Sequence, residues 1–145
     1  MLGSLGLPAC RGRVQAGAEL TAAELQRLRQ LGLLAPGETV RLFDSQAGLR
    51  GSAQAGNFFT DRRLAAYWLE KDRPGRSSIT YAYYPDVDTL YGIDRSQTLT
   101  YASYLEVRCH DGRRFNVYVS ADSAQTRRFF RAATAEWQRA RRPKP

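Results

Sequence analysis

The residues suited to catalysis or metal binding are few and scattered along the chain. There is one histidine, His110, and there are two cysteines, Cys10 and Cys109, without paired spacing. This set does not supply the four ligands of a structural zinc site. Asp86 and Asp88 are typical of a turn and not of an acid–base pair. Since phosphate-loop, dinucleotide-binding and nucleophile-elbow motifs are also absent from the sequence, we expect a non-enzyme with no catalytic residue, metal or cofactor.

Cations are the most frequent charged groups, with 22 Lys and Arg against 14 Asp and Glu and a net charge of +8. From Arg113 to Pro145 there are nine cations and only two acids, so most of the net charge belongs to the end of the chain. Arg127, Arg128 and Arg131 are a candidate surface for a protein partner, an acidic membrane or nucleic-acid phosphates. The alternative is that they form the solvated face of a helix.

Aromatic residues on predicted strands are a second group with binding potential. They are Tyr67, Trp68, Tyr81, Tyr83, Tyr84 and Tyr118. Beside arginines, such rings can stack on the bases of a single strand. They are also what the core of a small β-rich domain needs. Nucleic-acid binding by these aromatics and the basic C-terminal helix is therefore retained as an alternative function.

The length and composition limit the scaffold that positions these groups. A chain of 145 residues with 43% hydrophobic residues fits one domain. We expect a flexible lead over residues 1–20 and a single domain over residues 21–142. No apolar run reaches the length of about 18 residues that a membrane span needs, so the sequence predicts no transmembrane helix.

Helices are predicted at both ends of this domain. A capping-box spacing that begins at Thr21 predicts a helix over 22–31, which Gly32 ends. Ser123 is the predicted N-cap of a second helix over 124–141. The apolar stripe of this second helix consists of Phe129, Phe130, Ala133 and Trp137. Such a stripe indicates a helix that covers the core.

Between the helices, an alternation of period two predicts short strands across residues 38–120. We place seven strands at 39–44, 54–60, 63–70, 77–84, 97–101, 103–109 and 113–120. This number of strands is typical of a barrel or a sandwich.

The last predicted hairpin can be assigned a register. A three-residue loop over 110–112 sets Val107 opposite Phe115 and Leu105 opposite Val117, so that all four apolar side chains share one face. Gly112 then takes the left-handed position of the turn. His110 becomes an exposed turn residue.

Three stretches carry a family resemblance. They are Asn57-Phe-Phe-Thr-Asp-Arg-Arg-Leu64, then Ile79 to Tyr84 with Pro85-Asp-Val-Asp-Thr-Leu90, and Asp111-Gly112-Arg-Arg-Phe115. With the order of elements, they make residues 36–138 resemble the bacterial pleckstrin-homology-like (PH-like or GRAM-like) domains. The resemblance implies a mainly β fold with α, a seven-stranded antiparallel barrel closed by a C-terminal amphipathic helix. It also implies a non-catalytic binding module.

The same resemblance implies where a ligand would bind. In this fold the loops after strands one, three and six meet at the open end of the barrel. Here these loops carry Arg50, Lys71, Arg73, Arg76, Arg113 and Arg114. Such cations suit phosphate or carboxylate oxygens, so the implied ligand is a membrane headgroup or an acidic peptide. Acids in the same loops, such as Asp111, neutralise part of this charge.

The expected partner is another protein or a second copy of the chain, with peripheral contact to an anionic membrane as a further option. We expect a cytoplasmic location. The alternative starts from residues 7–10, which resemble a lipoprotein cleavage box. If the true start lay upstream, Cys10 would be lipidated and anchor the protein in the envelope.

Overall fold

The computed structural model describes residues 13–45, 54–98 and 100–143. The protein is mainly β with two α-helices. In chain order the elements are β1 (Val14–Ala16), α1 (Ala22–Gln30), β2 (Val40–Asp44), β3 (Ala55–Thr60), β4 (Arg63–Trp68), β5 (Ser78–Tyr83), β6 (Val87–Ile93), β7 (Ser103–Cys109), β8 (Arg114–Val119) and α2 (Ser123–Arg141).

The strands form two antiparallel sheets and not one closed barrel. The first sheet has the order β1-β2-β3-β4-β5, and the second has the order β6-β7-β8. Within the described ranges no ladder joins the two sheets. The predicted seven-stranded closed barrel is therefore wrong in strand number and in closure. The mainly β class and the C-terminal helix are confirmed.

One predicted strand is misplaced. Residues 97–101 do not form a strand in the part that is described, because Thr98 turns back and its N–H and hydroxyl both donate to the Arg95 carbonyl at 2.9 and 2.8 Å. The strand lies earlier, at Val87–Ile93. It is an edge strand, where polar residues such as Asp88 and Thr89 are tolerated, so its apolar alternation is weak.

The predicted flexible lead over 1–20 contains a strand. Val14 of β1 pairs with Asp44 of β2, is buried, and donates its N–H to Gln125 Oε1 of α2 at 3.0 Å. A strand of three residues is too short to produce a readable alternation.

Both helices have local start signals. Thr21 is the N-cap of α1, because its hydroxyl accepts from the Glu24 N–H at 3.1 Å, and the same hydroxyl contacts the Glu24 carboxylate at 3.1 Å. Helix α1 ends at Gln30, one residue earlier than predicted. Helix α2 begins at residue 123, one residue earlier than predicted, because Asp122 and not Ser123 caps it: the Asp122 carboxylate accepts from the Gln125 N–H at 2.8 Å.

The main core lies between the two sheets, and α2 covers it as predicted. Phe129 and Ala133 are fully buried, and the Phe129 ring meets that of Phe59 edge-on at 5.1 Å. The indole N–H of Trp137 donates to the Val87 carbonyl at 3.2 Å, which fixes the far half of the helix over β6.

A second apolar cluster lies on the opposite face of the five-stranded sheet. There Leu28 of α1 packs with Leu33, Phe58 and Ala65. The five-stranded sheet therefore packs against α1 on one face and against the second sheet with α2 on part of the other.

The predicted register of the β7–β8 hairpin is confirmed. Val107 lies opposite Phe115, and Leu105 lies opposite Val117. Gly112 has a φ of 90°, a conformation that disfavours residues with a side chain. His110 is exposed, and its Nδ1 lies 3.5 Å from the Asp88 carboxylate.

Candidate functional site

The inner face of the five-stranded sheet is not covered along its whole length. Side chains two residues apart on a strand share a face, so Asn57 lies on the same face as buried Phe59. Pairing sets Asn57 opposite Ala66, and Ala66 opposite Thr80. The next row contains Trp68. These residues lie beyond the edge of the main core.

A groove runs between these rows and strand β8. Its volume is about 400 Å3. It is lined by Asn57, Ala66, Tyr67, Trp68, Ser78, Thr80, Phe115, Asn116 and Tyr118. A second hollow of about 490 Å3 adjoins it and is lined by Ile79, Thr80, Tyr81, Arg113, Arg114 and Phe115. Because Thr80 and Phe115 line both, we treat the two hollows as one inter-sheet groove.

Two buried polar side chains hold β8 in this position. The amide oxygen of Asn57 accepts from the Tyr118 N–H at 2.9 Å, and a carboxylate oxygen of Asp44 accepts from the Ser120 N–H at 2.6 Å. Both acceptors are on the five-stranded sheet, so these bonds hold the C-terminal end of β8 against that sheet. The groove opens where these contacts stop.

At the hairpin end, the groove is bordered by paired arginines. The Arg113 Nε lies 2.7 Å from the Asp111 carboxylate, and its Nη1 donates to the Tyr81 carbonyl at 3.4 Å. Hydrogen bonds from Arg113 hold the pKa of the Asp111 carboxyl below its usual value. Arg114 lies 3.8 Å from Glu106. Arg113 and Arg114 are the two charged residues among the described groove lining, and both are cations.

Lys71 belongs to a separate hollow at the other end. This hollow has a volume of about 190 Å3 and adjoins the groove at Trp68, and Lys71 lies in it between Glu70 and Asp72. Arg76 lies in a short 3-10 turn between β4 and β5, and Arg73 precedes that turn.

The predicted open-end cluster is thus distributed over several places. Arg113 and Arg114 lie together along the groove, and Lys71 lies beyond its opposite end. Arg73 and Arg76 are exposed and line neither the groove nor the Lys71 hollow. Arg50 lies outside the described residues, as does Cys10.

A buried ion pair supports β5 from the α1 side of the sheet. Arg63 Nη2 lies 2.6 Å from Glu38 Oε1, and Arg63 Nε lies 2.8 Å from Glu38 Oε2. Burial by itself would raise the pKa of the Glu38 carboxyl, but hydrogen bonds from Arg63, Thr60 and a backbone amide hold the pKa below its usual value. The Arg63 guanidinium stacks on the rings of Tyr81 and Tyr83, at 5.0 and 4.9 Å.

The predicted helical surface is exposed. Arg127, Arg128 and Arg131 lie on the solvent side of α2, and no ion pair within the described ranges involves them. They are on a different element from the groove. Within those ranges, neither helix is both long and apolar enough to cross a bilayer.

The predicted aromatic set divides into three groups. Tyr67 and Tyr84 are buried, and burial raises the pKa of Tyr67 to about 12. Trp68 and Tyr118 line the groove. Tyr81 and Tyr83 are exposed residues of β5.

The sequence did not reveal Phe115, Thr80 or Asn57 as groove residues. The hairpin register already placed Phe115 on an apolar face. Pairing the strands on either side of the Pro-Gly turn at 74–75 could have placed Thr80 beside Ala66. The groove itself was not predictable, because local periodicity does not show how one sheet packs on the other.

Comparison with known proteins gives one structural likeness. Neither a protein-family model nor a curated protein matches the sequence. The fold is similar to the crystal structure of a DUF1696 family protein with a pleckstrin-homology domain from Shewanella loihica PV-4. The sequence identity is 15% and the TM-score is 0.49, over 83% of this chain and 97% of the other. At this level the likeness is one of general arrangement.

Proposed function

We propose that the protein is a non-catalytic binding module of pleckstrin-homology-like architecture, and that it binds an acidic segment of another protein in the inter-sheet groove. The observation that carries the proposal is the groove itself. Its walls are apolar and aromatic, with amide and hydroxyl groups between them, and the charged residues of its described lining are Arg113 and Arg114. Such a mixture suits a peptide, which offers side chains of both kinds.

A compact phosphate headgroup fits the groove less well than a peptide. Phosphate sites gather several cations around one point. Here Lys71 lies beyond Trp68 in a separate hollow, so it does not gather with Arg113 and Arg114 around one point. An elongated ligand with apolar positions and one acidic stretch matches this distribution of charge.

The test is the binding of a labelled peptide that alternates valine and glutamate, followed by fluorescence anisotropy. The comparison ligands are the matching valine–lysine peptide, vesicles of phosphatidylcholine with phosphatidylserine, and single-stranded DNA. We expect the glutamate peptide to bind more tightly than the lysine peptide. Vesicle or DNA binding without peptide binding would refute the proposal and favour a headgroup or nucleic-acid site.

Two matched pairs of variants locate the site. Ala66→Phe places a ring in the groove, whereas Ala135→Phe places one on the exposed side of α2. Arg114→Ser and Arg131→Ser each remove one cation, from the groove and from the helix. We expect the two groove variants to weaken peptide binding, by about 2- to 5-fold for the loss of one exposed charge. Equal losses for Arg114→Ser and Arg131→Ser would show that binding follows net charge and not the groove.

A further inference from the structure

Strand β5 has a backbone edge that faces the groove. It is the last strand of its sheet. The Tyr84 N–H donates to the Arg62 carbonyl of the neighbouring turn at 3.1 Å, and backbone groups alternate in direction along an antiparallel ladder. The N–H and C=O groups of Ile79, Tyr81 and Tyr83 therefore point away from β4.

The contact at Tyr81 confirms this direction. Its carbonyl accepts from Arg113, a residue of the β7–β8 hairpin, across the groove. Pairing on the other side of β4 agrees, because the Leu69 N–H donates to the Gln54 carbonyl. The backbone groups of Leu64, Ala66 and Trp68 therefore form the hydrogen bonds with β5. Those of the residues between them form the hydrogen bonds with β3. Within the described ranges, β4 is the strand that pairs with β5.

The side chains along this edge are also exposed. Ile79 is 44% exposed, and Tyr81 and Tyr83 are each 39% exposed. The Tyr81 and Tyr83 rings are 5.7 Å apart, edge to face, and Arg63 stacks on both. An exposed strand edge with large apolar side chains is a template for another strand.

We propose that the partner segment binds as an added β-strand, with its backbone paired to Ile79, Tyr81 and Tyr83 of β5. This rests on the proposed function and states how the groove holds its ligand. The added strand displaces the Arg113 guanidinium from the Tyr81 carbonyl and supplies an N–H in its place. Residues on one face of the added strand lie beside the Tyr81 ring, and those on the other face lie toward Arg114.

Charge favours an acidic partner over a second copy of this chain. Arg113 and Arg114 border the part of the groove next to the edge. Two copies joined through β5 would bring two such pairs of cations together. An acidic strand instead places carboxylates next to them, which is why the occupant is a segment of a different protein.

The test is amide hydrogen exchange of the full chain with and without a saturating amount of the valine–glutamate peptide. We expect the amides of Ile79, Tyr81 and Tyr83 to exchange at least about tenfold more slowly in the complex. The Thr80 and Ala82 amides already bond to β4 and serve as internal controls. If the peptide binds but the three edge amides exchange at the free rate, strand addition is wrong while the groove remains a binding site. If no peptide binds, the proposed function itself fails.

Backbone methylation of the peptide supplies an independent test. Two peptides carry N-methyl groups on alternate residues, one on the valines and one on the glutamates. In a strand, alternate residues direct their N–H groups to opposite edges, and the burial pattern of the side chains fixes which edge pairs with β5. We therefore expect one peptide to lose binding and the other to keep it. Equal affinity of both peptides would overturn strand addition.

Discussion

The carbonyl oxygen of Tyr81 and the Nη1 of Arg113 lie 3.4 Å apart and join the edge of β5 to the β7–β8 hairpin. This contact crosses the groove between two sheets that no described ladder connects. It is made by an exposed arginine, which can move aside at little cost. The edge of β5 is therefore accessible to a ligand without unfolding of either sheet.

The first prediction concerns the ion pair under β5. Glu38→Gln leaves the buried Arg63 guanidinium without its counter-charge, and both side chains are almost fully buried. We expect a loss of about 3–5 kcal/mol in the free energy of unfolding, measured by urea denaturation. The control is Glu19→Gln, which breaks an exposed pair with Arg13 and should cost less than ~1 kcal/mol. Similar costs for the two variants would contradict the structural role of Glu38.

The local elements were more predictable from the sequence than their packing. Three short-range patterns are confirmed by the structure. They are the N-cap at Thr21, the register of Val107 against Phe115 and the stripe that contains Phe129. Strand β6 was missed because an edge strand does not need apolar alternation. The family resemblance also implied that the basic loops meet at one point. The structure separates Lys71 from Arg113, because the opening between the sheets is long and not a single rim.

The second prediction is the pH dependence of the same ion pair. The folded state lowers the pKa of the Glu38 carboxyl from its ordinary value of 4.5. The unfolded chain therefore takes up this proton first as the pH falls, and the stabilisation from Glu38 is present above the ordinary pKa and is lost below it. Glu38→Gln resembles the protonated form at all pH values. We expect the difference in unfolding free energy between wild type and variant to shrink below pH 4.5, and a constant difference would contradict this.

The third prediction tests strand β1 and its junction with β2. A Cβ atom at Gly17 would lie 1.8 Å from the Val40 carbonyl oxygen, so the backbone must shift to accept any side chain. We expect Gly17→Ala to cost about 1–3 kcal/mol of stability. The matched control is Gly75→Ala, where nothing lies within 4 Å and the expected change is within about 0.5 kcal/mol. The measurement is the thermal unfolding of both variants, from which the two changes in stability are compared. An unaffected Gly17→Ala would show that the segment after β1 is not packed as described.

The two tryptophans provide the most direct test of the groove as the binding site. The Trp68 indole lines the groove and donates to Glu70 at 2.9 Å. The Trp137 indole lies between α2 and β6 and donates to the Val87 carbonyl. The measurement is a nitrogen–proton NMR spectrum of the indole N–H signals during titration with the valine–glutamate peptide. We expect the Trp68 signal to move and saturate while the Trp137 signal stays in place. A stationary Trp68 signal at saturating peptide, or a shift confined to Trp137, would contradict the assignment of the inter-sheet groove as the ligand site.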